Sequence, residues 1–179
     1  MLTDQIEAAL NEQINAEFYS AYLYLSMAAY FEDEGLPGFA SWMRSQAEEE
    51  RAHGMRIYDY VLERDGRVEL DGIDRPAAEW SGPADAFEAA YEHEVEISGM
   101  IDDLVGLARE ENDNATENML QWFVAEQVEE EATAKEILDT LGHVGDDGHG
   151  LLMVDRELGQ RGGEGADGTE AAGPGEAPL

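Results

Sequence analysis

Apolar residues recur every three or four positions through four long segments of the chain, and this spacing places them along one face of an α-helix in each segment. Short turns rich in Gly, Pro, Asn and Asp separate the first segment from the second and the third from the fourth. Helices joined by so short a loop pack as antiparallel neighbours. The pattern predicts helices over residues 3–33, 37–64, 84–111 and 115–141.

The connection between the second and third segments, residues 67–83, is long for a linker inside a compact domain. Gly and Pro interrupt it, so we do not expect a further helix there. A linker of this length can carry the chain along the whole bundle, so that the third helix starts at the opposite end. The sequence therefore predicts an all-α fold, a four-helix bundle with a long crossover between helices 2 and 3.

The C-terminal part of the chain changes composition twice. Residues 142–150 are rich in Gly and Asp and predict a break, and residues 151–158 can form a short amphipathic fifth helix that has to dock to be stable. Residues 159–179 are mostly Gly, Ala, Glu and Pro and predict a disordered acidic tail. We therefore expect one domain over residues 1–158, followed by the Gly-rich tail.

The chain is strongly acidic, because 42 Asp and Glu against 10 Lys and Arg give a formal net charge of -32. Such a charge repels the phosphates of nucleic acids, so we expect no nucleic-acid partner. One interpretation of the charge is a solvated surface adapted to high salt, as in a halophilic organism. The other is attraction of cations. The acidic residues are spread along the chain, which favours the first interpretation, although some steering of cations follows from either.

The cysteine content and the hydropathy both bear on the compartment. The chain has no cysteine, so disulfides and thiolate metal sites are excluded. Its start has no cationic segment followed by an apolar run of the signal-peptide type. No apolar stretch approaches the roughly 20 residues that a membrane-spanning helix needs. We expect a cytoplasmic protein with no membrane partner.

Each of the four apolar faces is interrupted by residues of the metal-ligating type. Buried carboxylates and imidazoles are costly unless they are paired, hydrogen-bonded or bound to a metal. For any single Glu in so acidic a chain, a side chain turned outward is the simpler explanation, but four interrupted faces are hard to assign to chance. Carboxylates with one imidazole predict a di-iron or di-manganese site in the bundle core. The interrupting residues are Glu17, Glu50 with His53, Glu94, and Gln127 with Glu130.

Further candidates lie beside this set, each with two interpretations. Glu49, Glu126 and Glu129 form either a solvated acidic face or a third, weaker ion site next to Glu130. Gln127 is a poorer ligand than Glu and can instead hydrogen-bond at the edge of the site. The remaining histidines, His93, His143 and His149, follow no comparable pattern and are predicted to lie on the surface or in loops.

Two aromatic residues also have two interpretations. Tyr24 lies two turns after Glu17 on the same helix face, so its phenol is expected near that carboxylate. Tyr24 and Trp122 are either ordinary core aromatics or electron donors to a site that reduces dioxygen.

Several segments carry a resemblance to a known family. They read LNEQINAE at 10–17, EERAH at 49–53, YEHE at 91–94, and QW at 121–122 followed by EQVEEE at 126–131. With these segments, residues 2–158 resemble the non-haem ferritins of bacteria and archaea. The resemblance implies a shell of twenty-four subunits with a ferroxidase centre in each bundle. It also implies oxidation of Fe(II) by dioxygen or peroxide and storage of ferric mineral inside the shell.

The resemblance also implies roles for individual residues, carried over by position. The first iron is assigned to Glu17, Glu50 and His53, and the second to Glu50, Glu94 and Glu130, with Glu50 bridging and Gln127 close by. A third iron site is assigned to Glu49, Glu126, Glu129 and Glu130, and the redox-active aromatics match Tyr24 and Trp122.

Related families fit less well. Bacterioferritins bind haem with a methionine next to the first Glu-x-x-His, and here that position is Arg51, so we expect no haem. Their second Glu-x-x-His is replaced by Gln127 and Glu130. Two other functions stay open on the sequence: a di-iron peroxidase or oxygenase that stores no iron, and a non-catalytic helical assembly protein. The second of these would leave the inward carboxylates unexplained.

Overall fold

The computed structural model describes residues 1–145 and 147–164, and every regular element in these ranges is a helix. The bounds of the five helices are α1 Asp4–Asp33, α2 Pro37–Glu63, α3 Pro83–Glu110, α4 Asn114–Val144 and α5 Gly148–Glu164. The first four form the bundle. The predicted all-α class, the four bundle helices and the presence of a fifth helix are confirmed.

Local sequence signals set where the bundle helices begin. The hydroxyl of Thr3 accepts a hydrogen bond from the backbone N–H of Ile6 and caps α1, and the carboxylate of Asp113 accepts one from Thr116 and caps α4. Pro37 and Pro83 occupy the first turns of α2 and α3, where the missing N–H costs nothing.

The core consists of two apolar clusters, one toward each end of the bundle. Phe31, Phe39 and Phe87 belong to the first cluster, and Ile14 and Phe123 belong to the second. All five side chains are completely buried. Burial of each such side chain contributes about 1.5–3 kcal/mol to stability. The positions on each helix that lie between the two clusters hold the polar residues described below.

The crossover between α2 and α3 runs along α1. Near its start, the side chain of Asn11 donates to the carbonyl of Arg67 at 2.9 Å, and near its end the hydroxyl of Ser26 donates to the carbonyl of Ala77 at 2.6 Å. Trp80 then packs against Tyr30 with ring centroids 5.3 Å apart. The linker thus follows α1 from its first third to its last turn, which confirms the predicted long crossover.

The fifth helix docks on the start of α2. The carboxylate of Asp155 accepts hydrogen bonds from the backbone N–H groups of Gly38 at 2.7 Å and Phe39 at 3.0 Å. The two backbones approach so closely that a Cβ on Gly38 would lie 1.7 Å from the carbonyl oxygen of Asp155. The N-terminal N–H groups of α2, which have no partner within their own helix, are satisfied in this way.

The C-terminal helices are longer than predicted. Helix α4 continues to Val144, and α5 extends from Gly148 to Glu164 instead of covering only residues 151–158. The glycines that indicated a tail pack closely against α2: a Cβ on Gly159 would lie 3.2 Å from the Cα of Gly38. Residues 165–179, the rest of the tail predicted over residues 159–179, lie outside the described residues. Among the described helices, none is long and apolar enough to cross a membrane.

Candidate metal centre

A polar layer crosses the middle of the bundle between the two apolar clusters. Helix α1 contributes one of its side chains, α2 two, α3 one and α4 two. All six predicted interruptions lie in this layer: Glu17, Glu50, His53, Glu94, Gln127 and Glu130. Their exposed fractions run from 1% for Glu17, Glu50 and Glu94 to 9% for Glu130. The helical spacing therefore turns all of them inward.

The layer contains two groups of three possible ligands. Ligand atoms of Glu17, Glu50 and His53 lie within 4.8 Å of one another, and so do those of Glu50, Glu94 and Glu130. Glu50 belongs to both groups. This arrangement can hold two adjacent cations with a shared carboxylate between them.

Most of the ligand atoms in this layer have no hydrogen-bond partner among the described residues. They are Glu17 Oε2, both carboxylate oxygens of Glu50, both of Glu130, and His53 Nδ1. Native proteins satisfy nearly all buried polar atoms, and each unsatisfied one costs about 1–3 kcal/mol. Six buried ligand atoms without a hydrogen-bond partner in one layer indicate a site for cations, because bound cations would satisfy all of these atoms together.

Burial also makes the negative charges of the layer unfavourable without a cation. Burial raises the pKa of Glu17 to about 7 and that of Glu130 to about 10. The pKa of Glu50 lies well above its ordinary range, first because of burial and then because of the charge of Glu130. Carboxylates this close hold protons at neutral pH unless a positive charge replaces them.

His53 is in the state that a metal ligand needs. Burial lowers its pKa to about 4, and the positive charge of Arg56 adds to the shift. The imidazole is therefore neutral at pH 7 and its nitrogen lone pair is available. Its Nδ1 lies 3.6 Å from Glu50 and 3.8 Å from Glu130, distances too long for hydrogen bonds.

Glu94 differs from the other carboxylates because hydrogen bonds hold both of its oxygens. The hydroxyl of Tyr24 donates to Oε1, and the amide of Gln127 donates to Oε2 at 3.2 Å. The sequence suggested Glu17 as the neighbour of the Tyr24 phenol, whereas the hydrogen bond of this phenol crosses the bundle to Glu94 on α3. Gln127 acts as a donor at the edge of the layer, which is one of the two roles that the sequence allowed.

The third predicted set opens off the same layer. A cavity of about 120 Å³ is lined by Glu49, Glu126, Glu129 and Glu130, with Tyr24 at its wall. Burial, together with the charge of Glu126, raises the pKa of Glu49. Ligand atoms of Glu49, His53 and Glu130 also lie within 4.8 Å of one another. Within the described part of the chain, Glu126 and Glu129 line the cavity without joining a group of three.

Trp122 lies on the α2–α4 side of the layer, next to the first ligand group. Its ring stands edge-on to the imidazole of His53, with centroids 5.2 Å apart at 85°. The guanidinium of Arg56 lies 3.9 Å above the centre of the indole. The two predicted aromatics thus contact opposite ends of the layer, because Tyr24 contacts Glu94 and Trp122 contacts His53.

Sequence reasoning missed one residue of the layer and misplaced another. Gln13 is 1% exposed and its amide donates to Glu17 at 2.8 Å. Its position one helical turn before Glu17 was the available signal. His93 was predicted to lie on the surface, but it is half-buried, with Nε2 2.7 Å from the hydroxyl of Ser20. Its place on α3 next to the inward Glu94 turns it toward α1. His143 and His149 are exposed, as predicted.

Comparisons with known proteins agree with one another. The ferritin-like domain family matches residues 7–144. A bacterial non-heme ferritin from Bacteroides fragilis is 45% identical over 161 residues, which are 90% of this chain and 100% of the relative. Another, from Staphylococcus epidermidis, is 41% identical and covers 90% of this chain and 97% of the relative.

Solved structures give the same result. An open-pore ferritin from the hyperthermophilic archaeon Archaeoglobus fulgidus superposes with a TM-score of 0.88 and 52% sequence identity. The match covers 89% of this chain and 98% of that chain. An engineered closed form of the same archaeal protein gives the same TM-score and identity.

Proposed function

The chain belongs to the ferritin family, and we propose that the polar layer in the middle of its bundle is the centre where it oxidises iron. Iron storage with ferroxidase activity is the function of the family and of this chain. Iron is both substrate and cargo. The observation that supports the location is the pair of three-ligand groups that share Glu50 and carry orphaned, buried ligand atoms.

The residue roles follow from the two ligand groups. The first Fe(II) binds Glu17, Glu50 and His53, and the second binds Glu50, Glu94 and Glu130. Glu50 bridges the two ions. The ligands are mainly anionic oxygens with one nitrogen, a set that suits iron better than zinc.

The two ions supply the redox chemistry and the chain supplies geometry, charge and proton control. Each ferrous ion loses one electron, and the two electrons reduce dioxygen to hydrogen peroxide or hydrogen peroxide to water. Before iron binds, Glu130 carries a proton at neutral pH and Glu17 is about half protonated, because burial raises the pKa of both carboxyl groups. Iron displaces these protons, and the resulting carboxylates stabilise the higher charge of Fe(III). His53 binds without losing a proton because it is already neutral.

The cavity beside the layer provides a route for the product. Glu49, Glu126 and Glu129 line it, and Glu130 lies on its boundary with the second ligand group. A third, weaker iron site here would receive ferric ions that leave the centre. This site is more exposed than the two ligand groups, since the side chains of Glu49 and Glu129 are accessible to solvent. Such exposure fits a site through which iron passes.

We assign the donation of electrons to Tyr24 and Trp122. Tyr24 is completely buried and hydrogen-bonded to Glu94, and Trp122 is in ring contact with His53. An electron from either ring would complete the reduction of an oxidant when fewer than two ferrous ions are bound. Both assignments rest on contact with ligands of the centre.

Ferritins form multimeric shells around iron, and we propose that twenty-four copies of this chain assemble into one shell in the cytoplasm. Large apolar side chains on α1 and on the crossover that runs along it are 45% to 64% exposed, including Tyr22, Leu25, Leu70 and Ile73. Patches of this kind on a single chain are typical of subunit contacts. The net charge of -32 keeps such an assembly soluble.

Glu50→Ala tests the location of the centre. We expect fast Fe(II) oxidation in air to fall by more than about 100-fold, because the loss of a mere outer-shell partner already costs about 10- to 100-fold. Glu48→Ala is the matched control, since Glu48 is exposed on the same helix and bonded to Arg51. Equal rates for Glu50→Ala and the wild type would exclude the layer as the oxidation site.

A further inference from the structure

Gln13 is a buried polar residue that the two ligand groups do not use. It lies on α1, one turn before Glu17, and is 1% exposed. Its Nε2 donates to Glu17 Oε1 at 2.8 Å, while its Oε1 has no hydrogen-bond partner among the described residues. A side-chain amide buried with an unsatisfied oxygen is costly, so a compensating role is expected.

The surroundings of Gln13 give its amide few other partners. The inward residues of α1 before Gln13 are Ile6 and Leu10, and Ile14 follows it; all three are completely buried in the second apolar cluster. Gln13 therefore forms the boundary between the polar layer and this cluster. At this boundary, its amide N–H₂ donates to Glu17.

The hydrogen bond from Gln13 gives the two carboxylate oxygens of Glu17 different roles. In the ionised form that binds a metal, the Glu17 carboxylate accepts from the amide N–H₂ and is repelled by the amide carbonyl, which fixes the orientation of the Gln13 side chain. Oε1 of Glu17 is then occupied by Gln13. Oε2 is the oxygen left without a partner, and it belongs to the side chain that completes the first ligand group.

We propose that Gln13 is a positioning residue for the first iron site: it holds one oxygen of Glu17 so that the other faces the metal. The inference rests on the proposed function of the polar layer. The second ligand group has an equivalent support, because Tyr24 and Gln127 hold Glu94. Glu17 and Glu94 are therefore each oriented by neutral donors, whereas both oxygens of the bridging Glu50 and of Glu130 lack a partner among the described residues.

The test uses Co(II), which does not oxidise under the assay conditions and whose visible spectrum reports its coordination. Full-length wild type, Gln13→Met and Gln13→Ala are titrated by calorimetry and by absorption. Met matches the length of Gln without a donor, and Ala gives a second variant should Met fail to fold. We expect binding at the first site to weaken by about 10- to 100-fold, as for other outer-shell partners of metal ligands.

A double-mutant cycle separates positioning from general damage to the fold. In a Glu17→Ala background, Gln13→Met should cause no further loss of Co(II) affinity, because the two residues act through one interaction. Ser20→Ala is the matched control: Ser20 is completely buried on α1 and bonds to Ala16 and His93 but to no proposed ligand. It should leave the first-site affinity and spectrum unchanged.

The outcomes separate the role of Gln13 from the proposed function of the polar layer. Equal first-site affinity and spectrum in wild type and Gln13→Met would overturn the role of Gln13 and leave the centre intact. An additive loss in the Glu17→Ala background would overturn it as well, since Gln13 would then act on the fold. A wild type that binds fewer than two Co(II) ions per chain would remove the proposed function and this inference together.

Discussion

Glu50 and His53 face each other at the centre of the bundle with Oε2 and Nδ1 3.6 Å apart, and neither atom has a hydrogen-bond partner among the described residues. The two residues are one helical turn apart on α2, so the helix itself holds their side chains side by side. An imidazole that is neutral at pH 7 and a buried carboxylate gain little from each other directly. Both gain from a cation between them.

The stability of the metal-free protein should fall as the pH rises from 7 to 9. The pKa of Glu130 is raised to about 10 by burial and by neighbouring charges, so the folded state keeps a proton that the unfolded state releases. The slope from one such group is at most about 1.4 kcal/mol per pH unit. His53 has the opposite sign, but it acts below this range because its pKa is lowered to about 4.

Thermal unfolding of wild type and Glu130→Gln across this range measures the effect, because the variant lacks the titrating group but has the same surface charge elsewhere. We expect the variant to lose less stability with pH than the wild type. A divalent ion should raise the unfolding temperature of the wild type more at pH 8.5 than at pH 7. Parallel curves for the two proteins would contradict the protonated state of Glu130.

Tyr24→Phe should weaken the second ligand group. The substitution removes the donor to Glu94 Oε1 and leaves that buried oxygen unpaired, at a cost of about 1–3 kcal/mol. Binding of the second Co(II) ion should weaken while the first is unaffected. Tyr30→Phe is the control, since the ring of Tyr30 packs against Phe31 and Trp80 in the apolar cluster. Equal second-site affinity in both variants would show that the phenol does not support Glu94.

Replacing Glu49, Glu126 and Glu129 by Gln should affect product release and leave the first oxidation intact. These residues line the side cavity, and Glu126 and Glu129 join no three-ligand group in the described chain. Oxidation of the first two Fe(II) per chain should keep the wild-type rate, whereas later additions of Fe(II) should be oxidised more slowly. Repeated stopped-flow additions measure this, and an unchanged later rate would remove the third site from the pathway.

Gly38→Ala should detach the fifth helix from α2. The added methyl would lie 1.7 Å from the carbonyl oxygen of Asp155, so the helices have to separate at a cost of about 1–3 kcal/mol or more. Gly106→Ala on α3 is the matched control, because no atom of the described residues lies within 4 Å of its Cβ position and Ala is the better helix former. We expect a lower unfolding temperature for the first variant and an equal or higher one for the second.

The periodicity of the sequence was enough to predict the bundle and the inward side chains. Helical spacing carries Glu50 and His53 into an apolar stripe, and nothing beyond that spacing is needed to bury them. The crossover could be predicted from the length of the linker, because the end of α2 and the start of α3 lie at opposite ends of the bundle and a long linker is needed to join them.

The contacts between helices could not be read in the same way. That Tyr24 bonds to Glu94 and not to Glu17 depends on how α1 and α3 are rotated about their axes, which a single-helix pattern does not determine. Gly159 indicated a flexible tail by composition, but in the fold it allows close approach to Gly38. The sequence alone does not distinguish a glycine that permits tight packing from one that breaks a helix.

The most direct test of the central claim is iron loading followed by sizing. Purified protein receives many Fe(II) ions per chain in air and is separated by size, with iron and protein recorded together. Oxidation in the polar layer followed by storage predicts iron far beyond three ions per chain, eluting with a shell-sized particle. The same experiment with Glu50→Ala should give slow, incomplete loading. Iron that stops at two ions per chain on a dimer-sized species would contradict storage and leave a di-iron enzyme.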